Sequence, residues 1–214
     1  MEEMPRNLVG TNTQQKDEPS DEELLAMNMP SEPITFRWRY ANKNIQLYER
    51  HLRSLRDYGI GSPLQAWMRS RLEWVSDNKL VEKPDGVIVI DVDPQGDVDI
   101  ELQDQVGAPH FCEDDLIWED GKLAGCKLHG SLWSCEDGTL VHVPSGLKGA
   151  CETFARDLMK TLNFQLEEGT LSKDALGEAE VFIVDDEFGI VACVGHEGKL
   201  CDKLKACFDK LWSK

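Results

Sequence analysis

Residues 114–163 of this chain read DDLIWEDGKLAGCKLHGSLWSCEDGTLVHVPSGLKGACETFARDLMKTLN. Short apolar strands are predicted at 116–118 and 132–133, because each is followed by an Asp-Gly pair, which favours a tight hairpin turn. Residues 139–143 alternate apolar and polar side chains and predict a third strand. The stretch therefore begins as a small antiparallel sheet.

A helix is predicted directly after this sheet. Pro144 and Gly146 break the last strand, and Phe154, Leu158 and Leu162 then recur at helical spacing. The first N–H groups of a helix have no partner within the helix, so a strand, a glycine turn and a helix N-terminus can together hold an anion. An ordinary strand–turn–helix joint gives the same pattern, and spacing alone leaves both interpretations open.

Composition limits the classes of function. The chain has 214 residues and a net charge of −17, which argues against binding to nucleic acid or to an anionic membrane. No apolar run approaches 18 residues, and residues 1–6 lack the apolar core of a signal peptide. We therefore expect a cytoplasmic protein with one large or two small domains.

Metal sites and disulfides are not predicted. The seven cysteines include no C-x-x-C pair, several lie in apolar stretches, and the five histidines show no ligand spacing. The acidic turn at 93–97 lacks the ligand spacing of a calcium loop. We expect reduced, packed thiols and a solvated turn.

The domain organisation is predicted from shifts in composition. Residues 1–32 are polar and acidic with three prolines, which predicts a disordered tail. Strand and helix patterns predict a small α/β domain at 33–104 and a larger β/α domain at 113–214, joined by a connector at 105–112. The fold class is α+β.

Six segments, in one consistent order, resemble motifs of a known family. They are 45–55, 87–102, 121–133, 137–144, 146–152 and 179–193. The first, IQLYERHLRSL, resembles a strand that leads into a helix marked His-Leu-x-Arg-Leu, and the last, AEVFIVDDEFGIVAC, resembles an Ala-Asp-Glu-Val-Phe segment with its closing strand. The chain resembles the class IV aminotransferase family, the fold-type IV pyridoxal phosphate (PLP) enzymes, which include branched-chain and D-amino-acid aminotransferases and aminodeoxychorismate lyase. The resemblance implies a two-domain, D-amino-acid aminotransferase-like architecture.

The lysine that this family needs has no match. It holds the cofactor as a Schiff base, and the family places it some tens of residues before a glutamate. Between Asp85 and Gly121 the sequence contains no lysine. Lys83, Lys122 and Lys127 lie outside the expected place.

Other positions of the family's site have also changed. Gly125 stands where the family has the glutamate that pairs with the pyridine nitrogen, and Gly130 stands where it has asparagine. Asp186, between Asp185 and Glu187, stands where a hydroxyl contacts the phosphate. Three carboxylates there are expected to repel a phosphate dianion.

Two arginines of the family are missing as well. The phosphate arginine of the first helix falls on Ser54, although Arg53 and Arg56 are its neighbours, and the terminal arginine of the glycine turn falls on Glu152. Only backbone donors of the phosphate turn remain as a residual cofactor-binding candidate. They belong to Gly149, Ala150 and Cys151.

Three interpretations remain. The first, which we prefer, is a PLP-enzyme fold that has lost PLP chemistry, binds no cofactor and is kept for association or regulation, with no catalytic residues. The second is an active PLP-dependent aminotransferase or lyase that acts on an amino acid or aminodeoxychorismate. The third is an acidic α/β binding module unrelated to these enzymes.

The resemblance also implies a homodimer. Trp38, Trp67 and Trp74 give the small domain many aromatic side chains for its size, and aromatics are enriched in interface cores. The same tryptophans could instead build the domain's own core. Residues on the apolar side of each predicted helix or strand are expected to be buried. They are Leu52, Leu55, Leu116, Trp133, Leu158, Phe182 and Ile190.

Overall fold

The computed structural model describes residues 29–136, 138–143 and 149–213. Most of the predicted acidic tail, and the predicted strand breakers Pro144 and Gly146, lie outside the described residues. The remaining chain forms three antiparallel or mixed sheets with four α-helices.

The N-terminal part, residues 29–103, is built on a four-stranded antiparallel sheet of order β2-β1-β3-β4. β3 is apolar almost throughout because it lies in the middle of the sheet, and five of its seven residues are buried apolar side chains. Two helices cover the sheet. The elements are β1 Ile34–Ala41, β2 Asn44–Ile45, α1 Tyr48–Ser54, a 3-10 turn Leu55–Tyr58, α2 Ser62–Asn78, β3 Gly86–Val92 and β4 Val98–Gln103.

The C-terminal part, residues 113–213, contains a five-stranded sheet of order β11-β10-β7-β8-β9 and a separate β5-β6 hairpin. β8 and β9 are parallel, so the chain must cross over between them, and α3 makes that crossover. The elements are a 3-10 turn Glu113–Asp115, β5 Leu116–Glu119, β6 Lys122–Cys126, β7 Ser131–Glu136, β8 Thr139–Val143, α3 Ala150–Thr161, β9 Gln165–Glu168, a 3-10 turn Lys173–Glu178, β10 Glu180–Asp185, β11 Gly189–Ala192 and α4 Lys199–Trp212.

The buried residues confirm the predicted apolar phase of most elements. Six of the seven predicted core residues are buried. The prediction for Leu158 is wrong, because this side chain is only half-buried. α3 instead buries a narrower stripe that includes Cys151, Ala155 and Met159, with Leu158 at its margin. Phe154 and Leu158 pack against the same core from the margin of this stripe and are only partly buried.

The three N-terminal tryptophans divide between core and surface. Trp38 is 1% exposed and belongs to the core, whereas Trp67 and Trp74 on α2 are 49% and 43% exposed. The guanidinium of Arg71 lies 4.6 Å from the Trp74 ring centroid and covers part of it. A homodimer stays a prediction.

The part of the chain that the structure describes contains no helix that is both long enough and apolar enough to cross a membrane.

Candidate functional site

A cleft lies between the four-stranded sheet of the N-terminal part and the five-stranded sheet of the C-terminal part. The β10–β11 turn, residues 186–188, forms one of its walls. One cavity has a volume of about 960 Å³ and lies between β1, the Leu55–Tyr58 turn and the β10–β11 turn. A smaller cavity of about 210 Å³ adjoins it near Gly130 and Gly149. Both cavities share Tyr58 and His129, so they are neighbouring spaces of one cleft.

Asp186 places its carboxylate on the N-terminus of α3. The backbone N–H of Cys151 donates to Oδ1 at 2.8 Å, and that of Ala150 donates to Oδ2 at 3.3 Å. These N–H groups have no acceptor within the helix, and a negative charge is favourable at a helix N-terminus. The side chain of Asp186 is only 16% exposed. The protein's own carboxylate therefore binds the donors that the sequence identified as a possible anion site.

Gly149 allows this close approach. A Cβ atom at position 149 would lie 2.7 Å from Oδ1 and 2.9 Å from Oδ2 of Asp186. Because the carboxylate is held by two hydrogen bonds, it cannot move away without losing them. The glycine therefore keeps the backbone open to a bound anion.

His51 approaches the same carboxylate from the N-terminal part. Its side chain is 1% exposed, its Nδ1 lies 3.5 Å from Asp186 Oδ2, and its ring stacks on Trp38 with centroids 4.4 Å apart. That distance is too long for a good hydrogen bond, and Nδ1 has no hydrogen-bond partner among the described residues. Burial acts to raise the pKa of Asp186, but His51 and the N–H donors of Cys151 and Ala150 outweigh it and hold that pKa below its usual value.

Glu187 binds across the cleft. Its Oε2 lies 2.5 Å from Arg37 Nε, and Arg37 also donates to Gln103 Oε1 at 3.3 Å. The Glu187 side chain is 3% exposed. The hydrogen bond to Glu187 raises the pKa of Arg37, which fixes the guanidinium as a cation.

Asp185 closes the β10–β11 turn. Its Oδ1 accepts the N–H groups of Glu187 and Phe188 at 2.8 and 3.0 Å, and its Oδ2 lies 3.0 Å from Nδ1 of His129. This hydrogen bond raises the pKa of His129, against the opposing effect of burial. Each of the three carboxylates predicted to repel a phosphate thus has a partner within the protein.

A second charged cluster is centred on Glu152, the position that matched a family arginine. Glu152 is 1% exposed, and its Oε1 accepts from Arg156 Nε at 2.7 Å. Arg156 also bonds to Glu168 Oε1 at 2.9 Å, and Glu168 Oε2 lies 2.6 Å from His142 Nδ1. The guanidinium of Arg156 lies 4.8 Å from the Trp133 ring centroid. This cluster packs α3 against β8 and β9, outside the cleft.

The lysines near the expected place are engaged elsewhere. Lys83 Nζ lies 2.8 Å from Asp104 Oδ1, and Lys127 Nζ donates to the carbonyl of Asp114 at 2.6 Å. Lys122 lies on the exposed side of the β5-β6 hairpin. Among the described residues that line the two cavities, none is a lysine.

None of the remaining matched positions places a polar side chain in the cleft among the described residues. Gly125 lies in β6 opposite Ile117. Gly130 lines the smaller cavity with φ of 120°, and a Cβ there would lie 2.9 Å from the Val184 carbonyl oxygen. Ser54 uses its hydroxyl to donate to the carbonyl of His51 at 2.8 Å.

Sequence reasoning missed two residues that build the cleft. Arg37 lies in β1 and carries no motif, and His51 enters the sequence analysis only as part of the helix motif in segment 45–55. Arg37 contacts Glu187, and His51 contacts Asp186. Because these partners are distant in sequence, no local sequence pattern predicts the contacts. Within residues 29–213, excluding the undescribed positions, no group of three or more His, Cys, Asp or Glu side chains is placed to bind a metal.

No protein-family model matches the sequence, and no curated protein matches it either.

Solved structures do match the fold. The 4-amino-4-deoxychorismate lyase of Pseudomonas aeruginosa superposes with a TM-score of 0.62 at 18% identity, covering 84% of this chain and 90% of that one. The branched-chain amino acid aminotransferase of Escherichia coli gives 0.62 at 14% identity, with coverages of 85% and 86%. A hypothetical aminotransferase from Mycobacterium tuberculosis, in its PLP-bound form, gives 0.64 at 10% identity, with coverages of 84% and 88%.

Likeness at these identities shows the fold and nothing about activity. The predicted α+β architecture, with the fold of the fold-type IV enzymes, is confirmed.

Proposed function

We propose that this chain, which has the fold of class IV aminotransferases, does not carry out PLP chemistry and acts by associating with another protein chain. The observation that carries the proposal is the Asp186 carboxylate on the first N–H groups of α3. A helix N-terminus that already binds a carboxylate cannot also bind a phosphate through the same donors.

The described residues do not fit PLP. The cofactor needs a lysine amine for covalent attachment, and none lines the cleft among the described residues. It also needs a carboxylate at its ring nitrogen, and Gly125 at the matching position has no side chain. Asp185 at the end of β10, with Asp186 and Glu187 in the turn that follows, adds three carboxylates near the position expected for the phosphate.

Incubation of the purified protein with PLP is expected to give no Schiff-base absorbance band. Borohydride treatment followed by intact-mass measurement should then leave the mass of the chain unchanged. The hypothetical aminotransferase from Mycobacterium tuberculosis, which was solved in a PLP-bound form, is treated in parallel as the positive control.

A borohydride-sensitive band, a mass increase equal to one reduced PLP group, or conversion of an amino acid or aminodeoxychorismate would sink the proposal. In that case the chain is an active PLP enzyme whose lysine lies at an unrecognised position.

We further propose that the chain forms a homodimer in the cytoplasm. Trp67 and Trp74 on α2 supply exposed aromatic surface, which is the side-chain type enriched at interface cores. All seven cysteines are free thiols, and burial raises the pKa of several of them, Cys193 to about 12. Inert thiols suit a reducing compartment.

Light scattering at micromolar concentration is expected to report twice the 24.2 kDa mass of the chain. Replacing Trp67 and Trp74 together with serine should reduce that mass to a single chain, because both side chains are exposed and their loss leaves the core unchanged. Replacement of another exposed apolar residue, Val194→Ser, is the matched control and should leave the dimer intact. A single-chain mass for the unmodified protein would rule out the dimer.

A further inference from the structure

We propose that the acidic segment of residues 17–27 docks on the side of α2 that carries Trp67 and Trp74 in the same chain. We call this side of α2, with Trp67, Arg71 and Trp74, the tryptophan face. The segment and a second copy of the chain then compete for one surface. For this competition the inference rests on the proposed function, and it adds what covers the tryptophan face in a single chain.

The tryptophan face is both apolar and positively charged. Trp67 and Trp74 are exposed, and seven residues, about two helical turns, separate them, so they lie on one side of the helix. Arg71 stands between them, and its guanidinium lies 4.6 Å from the Trp74 ring centroid. Nζ of Lys79 lies 5.8 Å from the same centroid. A surface with these groups favours a partner that carries apolar and anionic side chains together.

The carboxylates of α2 are directed to another side of the helix. Glu73 and Asp77 line a cavity of about 310 Å³ together with Asn44 and Ile45 of β2. β2 and β4 are the two edge strands of the N-terminal sheet. Because an α-helix turns once in 3.6 residues, the tryptophan face is directed away from β2 and toward the β4 edge.

The described chain begins at this same edge. Met29 packs against the core of the N-terminal part. A Cβ atom at Gly59 would lie 3.8 Å from the carbonyl oxygen of Met29, and one at Gly96 would lie 2.7 Å from its Cε. Gly96 belongs to the turn between β3 and β4, and Gly59 shortly precedes the start of α2. The point from which the preceding segment extends therefore lies beside the first turn of α2.

The segment is long enough to reach both tryptophans. At a rise of 1.5 Å per residue, Trp67 and Trp74 lie roughly 8 and 18 Å along α2 from its start. An extended chain from Met29 back to Leu24 spans up to about 17 Å, and residues 17–23 reach further. Since the segment belongs to the same molecule as the face, its effective concentration is on the order of millimolar.

The composition of the segment complements the tryptophan face. Residues 17–27 read DEPSDEELLAM, with five carboxylates, three large apolar side chains and no lysine or arginine. Two copies of the face in symmetric contact would instead bring their Arg71 and Lys79 cations together, and like charges at short range repel. The segment can therefore compete with a second copy for the face.

The test is cross-linking of the full chain with a carbodiimide, which joins a lysine amine to a carboxylate that contacts it. Peptide mass spectrometry is expected to find Lys79 joined to a carboxylate of residues 17–23. A mixture of isotope-labelled and unlabelled chains, kept well below micromolar concentration, should give this product only between peptides that carry the same label. The Lys83–Asp104 pair, 2.8 Å apart, provides an internal reference for the yield.

A pair of substitutions in the segment tests its apolar side chains. Leu24→Ser with Leu25→Ser should lower the yield of the Lys79 product about tenfold, because the apolar contact with the tryptophans is lost. Leu8→Ser with Val9→Ser is the matched control, since it changes a neighbouring apolar pair outside the segment. This control should leave the yield unchanged.

A second pair of substitutions tests the face itself. Trp67→Ser with Trp74→Ser should lower the yield as much as the leucine substitutions do, while the Lys83–Asp104 product stays constant. The leucine variant should also dimerise at a lower concentration than the unmodified chain, because the competing segment no longer covers the face.

Absence of the Lys79 product while the reference product forms would overturn the inference, as would a product that survives both pairs of substitutions. Products with mixed labels would mean that the segment comes from a second copy, and they would overturn it too. Failure of the proposed dimer is reported separately by the mass of the unmodified chain and leaves the cross-linking result valid. A PLP adduct on the unmodified chain would remove the proposed function whatever the cross-links are.

Discussion

Replacing Arg156 with alanine is expected to lower the free energy of unfolding by about 3–5 kcal/mol, because it leaves a buried carboxylate without its partner. Glu152 is 1% exposed, and Arg156 Nε, at 2.7 Å, is its hydrogen-bonding cation among the described residues. The same change removes the link to Glu168 and the guanidinium above the Trp133 ring. Urea denaturation followed by tryptophan fluorescence measures the loss.

Two further variants test whether the cost of Arg156→Ala comes from leaving a buried charge without a partner. The double replacement Glu152→Gln with Arg156→Met removes both charges and is expected to be far milder than Arg156→Ala alone, since no uncompensated ion remains. Arg69 forms an exposed pair with Glu49 at 2.8 Å, so Arg69→Ala should cost about 0–1 kcal/mol. If Arg156→Ala is as mild as Arg69→Ala, the buried cluster contributes nothing beyond a surface pair.

Replacing Trp38 with alanine is expected to cost about 3–5 kcal/mol of unfolding free energy, the usual range for deleting a large buried aromatic side chain. Trp38 is 1% exposed, its ring lies 5.8 Å from that of Phe36, and it stacks on His51. The cavity that it leaves would also free the His51 ring, so the contact with Asp186 should weaken. Chemical denaturation measures the first effect, and the NMR line width of the His51 ring reports the second.

Trp38→Phe is the graded control, because it keeps an aromatic face against His51 while removing part of the volume. It should cost about half as much as Trp38→Ala and leave the His51 signal narrow. Equal losses for the two variants would mean that stacking on His51 has no role in holding the ring.

The order of elements and most of the core could be predicted because they depend on local periodicity. The apolar run of β3 identifies a central strand, and the hairpin to β4 follows from the turn residues between them. Trp133 and Phe182, predicted as buried from the phase of their strands, are opposite each other in neighbouring strands. Such features require no information from distant residues.

The phase of α3 could not be read in the same way. Phe154, Leu158 and Leu162 predict one face, but the helix buries Ala155 and Met159 more deeply, and Phe154 and Leu158 are only partly buried. Periodicity reports which residues are apolar, whereas the position of the helix on the sheet decides which of them are covered. Small residues such as Ala155 carry little weight in a hydrophobic pattern.

Only one of the two effects of Asp186 could be predicted from the sequence. Its charge predicts repulsion of a phosphate, and that remains the physical argument against PLP. The sequence does not reveal that the carboxylate itself reaches the N-terminus of α3, because the hydrogen bond to Cys151 joins residues 35 positions apart. Side-chain contacts across sheets of this kind depend on the complete fold.

The β10–β11 turn is also expected to affect how long a folded molecule survives. It joins the N-terminal and C-terminal sheets through contacts that are distant in sequence, such as the Arg37–Glu187 pair, separated by 150 positions. Closing so long a loop costs entropy, so we expect these contacts to form after the local hairpins. Interactions that form late mainly slow unfolding and leave the folding rate nearly unchanged. We therefore expect the contacts of this turn to slow opening of the cleft, and with it proteolysis of opened molecules.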